Sequence, residues 1–185
     1  MRKTIGRLGL LTCAAVLAFA MMGGAAFAGT TDVTVTLSAG SLSITDLSDL
    51  TLGYTLTGVA VMNAPLSGEG GGTFTVTDPR GSGAGWNVTA QASQLATSVG
   101  GVKIAKGSLR MPITTPTSDG IEVHTGEAID VDAAVIVADA TVGKGMGAFV
   151  FTSAPNGWTL SLPADQAVGV FTSTVTLTVA TLPLP

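Results

Sequence analysis

The chain has 185 residues, with eight Lys and Arg against twelve Asp and Glu, one histidine and one cysteine. So acidic a chain cannot neutralise a row of phosphates, which excludes nucleic acid as a partner. Its lone thiol excludes a disulfide framework, so the fold must be held by buried apolar surface.

The first element in chain order is a secretion leader over residues 1–28. Arg2, Lys3 and Arg7 form a basic start, Leu8 to Met22 is an uncharged and mostly apolar run, and Ala26-Phe27-Ala28 is a small-x-small site that predicts cleavage before Gly29. A run of about 15 to 18 residues is marginal for spanning a bilayer, so no membrane span is expected after cleavage. Cys13 follows too short an apolar stretch to serve as a lipid-acceptor site. Three basic residues leave with the leader and every acid stays, so residues 29–185 carry five cations against twelve anions, a net charge of −7. This remainder is long enough to fold as one domain.

Beyond the leader, Thr, Val, Gly, Ala and Ser dominate, and Thr and Val fit a pleated sheet better than a helix. Period-two alternation predicts the strands. Val33, Val35 and Leu37 alternate with Asp32, Thr34 and Thr36. Ser67 to Gly72 reads as a glycine-rich loop, and Phe74 and Val76 then alternate with Thr73, Thr75 and Thr77. After the turn Asp78-Pro79-Arg80-Gly81, the run Gly81-Ser82-Gly83-Ala84-Gly85 reads as a flexible hairpin loop delivering Trp86, Val88 and Ala90 to a further strand. Lys103, Lys106 and Arg110 lie close enough to form a small basic patch, although a solvated loop is the ordinary reading.

Pro116 to Gly120 is a loop, Ala128 to Ala140 alternates as a strand through Ile129, Val131, Val135 and Val137, and Pro155-Asn156-Gly157 is a turn. The chain closes on a long uncharged strand, Val168 to Ala180, in which Val175, Leu177 and Val179 alternate with Thr174, Thr176 and Thr178, and which is suited to a sheet edge. Many short strands with no amphipathic helix predict an all-β fold, an antiparallel, immunoglobulin-like β-sandwich.

Chemistry is sparse. His124 lies on a strand face it shares with Glu122, but no G-x-S-x-G elbow accompanies it, so a surface pair is expected in place of a catalytic base. Asp130 and Asp132 on one strand face are a weak calcium signal, and neither a metal nor a cofactor is expected. The Gly81–Gly85 run lacks the Lys-Ser/Thr and the following helix of a phosphate loop. Asn87-Val88-Thr89 matches the glycosylation triplet but sits within a strand.

The segment Val76-Thr77-Asp78-Pro79-Arg80-Gly81-Ser82-Gly83-Ala84-Gly85-Trp86-Asn87-Val88-Thr89-Ala90 resembles the first motif of WxL-domain cell-wall-associated proteins, in which an Asp, an Arg-Gly and a glycine-rich turn precede Trp-x-Leu. Here Val88 stands for the Leu. Gly169 to Val179 is similar to the second motif, with Leu177 where that family carries its second Trp; a literal Trp-x-Leu, Trp158-Thr159-Leu160, lies upstream. The resemblance implies a secreted, non-catalytic module held non-covalently at a Gram-positive-type cell wall, through peptidoglycan or other exported surface proteins. Trp86, Val88, Trp158 and Leu160 are then the candidate ligand contacts. Alternation with apolar neighbours favours interior positions for both tryptophans, whereas an exposed indole would stack on a sugar ring. A structural or adhesive subunit assembling through strand pairing is the alternative, and a wall hydrolase the third reading.

Overall fold

A computed structural model describes residues 34–98, 101–114 and 120–182. The leader, its cleavage site and most of the Pro116–Gly120 loop lie outside the described residues. The chain divides into two compact units, Met1–Leu37 and Ser38–Pro185.

Of the first unit only residues 34–37 are described, and they form no strand, with Val35 and Leu37 74% and 91% exposed. The strand expected there is a correction: alternation supplies two faces, but a strand also needs a neighbour to take its backbone hydrogen bonds, and none of the described strands pairs with these residues.

The second unit is all-β. Its strands are β1 (Ser43–Ile44), β2 (Leu50–Gly53), β3 (Val61–Pro65), β4 (Ser67–Gly70), β5 (Gly72–Asp78), β6 (Trp86–Ala92), β7 (Ala96–Thr97) and β8 (Leu109–Met111). They continue as β9 (Ile121–Val123), β10 (Glu127–Ala128), β11 (Val135–Ala140), β12 (Gly147–Ser153), β13 (Thr159–Leu162), β14 (Phe171–Thr172) and β15 (Val175–Thr181). Pro155–Gly157 makes a single 3-10 turn. No helix among the described residues is long and apolar enough to cross a membrane.

The strands form sheets ordered β1-β5-β12, β10-β8-β13-β3 and β15-β6-β11-β9, with two-stranded pairs β14-β7 and β2-β4. Every pairing is antiparallel, and the sheets share one core in a sandwich-like arrangement. Phe74 on β5 stacks on its cross-strand partner Phe151 on β12, ring centroids 4.9 Å apart. The Trp86 indole on β6 meets Phe151 edge-on at 6.1 Å and Phe149 at 6.0 Å, tying the first sheet to the third. Alternation is obeyed in β5, β6 and β15: Phe74 and Val76 point in, as do Trp86, Val88 and Ala90, while Val175, Leu177 and Val179 are half-buried.

Three local expectations change. Ser67–Gly70 is a strand paired with β2, because its glycines permit a backbone approach that a side chain would block: a Cβ on Gly68 would sit 2.1 Å from the Thr51 carbonyl oxygen. Ala128–Ala140 is interrupted after β10, and a bulge between Ile136 and Ala138 lets Val137 and Ala138 both turn inward. The last strand splits, leaving Val168 and Val170 in an exposed loop, with β15 at the edge of its sheet as expected.

Candidate functional site

The Asp78-to-Trp86 segment, expected to be a hairpin loop, instead crosses between sheets, since β5 and β6 pair with different partners. Asp78 is buried at the end of β5. Its two carboxylate oxygens accept from Arg80 Nε at 2.7 Å and Nη2 at 2.8 Å, a forked pair. The same guanidinium donates to the Gly85 carbonyl oxygen at 3.0 Å and to the Thr181 hydroxyl, so Arg80 ties the start of β6 to the end of β15. These hydrogen bonds from Arg80 hold the Asp78 carboxyl below its ordinary pKa, against the opposing effect of burial, and raise that of the guanidinium.

The crossover seats Trp86. Its indole is fully buried and donates from Nε1 to the Gly145 carbonyl oxygen at 2.9 Å. Gly145 has φ +77°, and a Cβ there would fall 2.4 Å from the Ala140 Cβ and 2.7 Å from Trp86 Nε1. Both left-handed strain and overlap oppose any side chain at this position. Gly145→Ala is therefore expected to lower stability by about 1 to 3 kcal/mol in urea unfolding.

The four candidate contacts separate into two pairs. Trp86 and Val88 are 0% exposed and serve the core; this corrects the contact reading for them, because neither presents a face to a ligand. Trp158 and Leu160, 1% and 8% exposed, line a cavity of about 830 Å³. The literal Trp-x-Leu thus belongs to a different sheet from the second-motif strand β15.

Leu50, Leu52, Tyr54 and Leu56 line this cavity together with Leu109, Leu160 and Leu162 of the second sheet. The loop carrying Val168 and Val170, with Phe171 and Val175, lines it as well. These two valines are 84% and 81% exposed, an unusual state for branched apolar side chains beside an apolar cavity. The Trp158 indole Nε1 has no hydrogen-bond acceptor, an unpaired buried donor in the cavity wall. Sequence reading did not find the cavity, since its walls come from segments more than 100 residues apart; the Trp158-Thr159-Leu160 motif and the charge-free 166–171 stretch were its only signals.

The titratable groups rearrange as well. Asp130 and Asp132 share no strand face: Asp130 is a buried loop residue accepting from the Ser108 and Leu109 amides at 3.3 and 3.0 Å, and Asp132 is exposed and paired with Lys106. Arg110 donates to Asn63 Oδ1 at 2.8 Å and to the Gly126 carbonyl oxygen at 2.7 Å. Two of the three basic side chains of the supposed patch are thus committed within the chain. His124 Nε2 lies 2.8 Å from Asp139 Oδ1, and Asp139 is its ring's hydrogen-bond partner.

No protein-family model, curated protein or solved structure matches the chain.

Proposed function

We propose that the chain is an exported, non-catalytic binding module of the bacterial cell surface, held non-covalently at the wall, in keeping with its resemblance to WxL-domain proteins. The observation that carries this reading is the apolar cavity walled by Trp158 and Leu160 and also lined by two exposed valines. A leucine-rich lining suits apolar side chains better than a polysaccharide, which favours another exported surface protein over peptidoglycan as the direct partner. The leader supports export, and the internal commitment of Lys106 and Arg110 argues against attachment through cations.

Attachment of this kind is weakly screened by salt, whereas attraction between exposed charges fades as the Debye length falls to about 3 Å at 1 M. The protein is expected to stay with the cell-wall fraction through a high-salt wash and to come off in denaturant. The double variant Val168→Asp, Val170→Asp should appear in the medium with its melting temperature unchanged, because both side chains are solvent-exposed. Quantitative release of the parent by salt, or full retention of the variant, would refute the cavity as the point of attachment.

A second reading, assembly through strand pairing, has one supporting observation: β15 is an uncharged edge strand whose only sheet partner among the described residues is β6. Concentration-dependent sedimentation of purified protein tests it.

A further inference from the structure

On the outer face of the third sheet, strands β9 and β11 pair so that Glu122 stands directly opposite Asp139. Ala138 and Ala140 point into the core and Ile121 and Val123 are half-buried, so alternation sends Glu122, His124 and Asp139 together to the solvent side. Two carboxylates placed opposite each other across an antiparallel pair repel, so the arrangement favours a positive charge between them. The third group is an imidazole. One donor atom from each of Glu122, His124 and Asp139 lies within 4.8 Å of the others.

We propose that Glu122, His124 and Asp139 form a binding site for a divalent transition metal, zinc first. The donor set is one nitrogen and two carboxylate oxygens, which matches borderline ions; calcium prefers six to eight oxygens. Donor atoms around a tetrahedral zinc are separated by roughly 3.4 Å given its bond lengths of about 2.1 Å, so the exposed Glu122 and His124 and the half-buried Asp139 need only small rotations to close on an ion. Water completes the coordination from the solvent side. The ion would pin the three-residue edge strand β9 to β11, staple-fashion, at a place that shares no residue with the cavity. The sequence points to two of these three residues, the Glu122–His124 pair, while Asp139 joins them only through strand register.

Tag-free protein, stripped with a chelator and titrated with zinc in a calorimeter, should bind one equivalent, and its melting temperature should rise when zinc is in excess. His124→Ala and Asp139→Asn should each weaken binding by about 100-fold or more, exceeding the ~10–100-fold typical of losing a group behind a ligand. Asp132→Asn, an exposed acid outside the trio, should bind zinc like the parent. The metal-free melting temperatures of the variants report that they fold. Absence of binding by the parent, parent-like zinc affinity in His124→Ala, or calcium bound as tightly as zinc would overturn the site.

Discussion

Trp86→Ala is expected to lower unfolding free energy by about 3 to 5 kcal/mol, the range for deleting a large buried aromatic. The indole has no exposed surface, packs against Phe149 and Phe151, and opens β6 where the crossover from β5 enters the third sheet. Its removal also strands the Gly145 carbonyl oxygen, which loses its indole donor. Measured by urea unfolding, the loss should be a large part of a total stability of roughly 5 to 15 kcal/mol. Trp86→Phe should cost less, since it keeps an aromatic ring and gives up mainly the hydrogen bond. A variant that unfolds like the parent while losing attachment to cells would show that Trp86 contacts a ligand and that the core assignment is wrong.

The same residues show why the Asp78–Trp86 segment stands out in the sequence while its use does not. Asp78, Arg80, Gly85 and Trp86 are close in sequence, so their order is visible in a string of letters. What they do is fasten a crossover, and that depends on Thr181 and Gly145, 101 and 59 positions away from Arg80 and Trp86. Alternation located β5, β6 and β15 because each has one clearly apolar and one hydroxyl-bearing face. It fails at Thr34–Leu37, where none of the described strands takes up the pattern, and at Ser67–Gly70, where glycine serves close backbone contact. Along β11 a bulge shifted the phase, so counting odd positions placed Val137 correctly and missed Ala138.

Acidic residues were the least legible. Asp130 reads like any surface acid, yet it is buried and caps two amides of the segment entering β8. Asp139 reads as an interruption in an apolar strand, and only the antiparallel register brings it beside Glu122 and His124. Burial and cross-strand neighbours are properties of the whole topology, which local patterns do not encode.

Asp78→Ala is expected to cost about 2 to 4 kcal/mol at neutral pH. Breaking a fully buried ion pair by removing one partner costs ~3–5 kcal/mol, and the value here should fall toward the lower side because the Arg80 side chain keeps 15% of its exposure. The variant leaves a guanidinium with no countercharge and loosens its hold on Gly85 and Thr181, so the loss should extend to β15 as faster amide exchange. The pH dependence supplies an independent check. Hydrogen bonds from Arg80 hold the Asp78 carboxyl below its ordinary value, so the folded protein releases this proton more readily than the unfolded chain, where an Asp titrates near about 3.9. The stabilisation is therefore complete above the unfolded value and is lost as pH falls through the lower, folded one. The gap in unfolding free energy between parent and Asp78→Ala should be flat from pH 7 to about pH 5 and shrink progressively below about pH 4. Comparing the two proteins cancels the titration of the other carboxylates, provided these are distant from the substitution. A gap that stays constant down to pH 2 would mean that Asp78 acts through its shape and backbone position, and that the charge of the Asp78–Arg80 pair contributes nothing to holding the crossover.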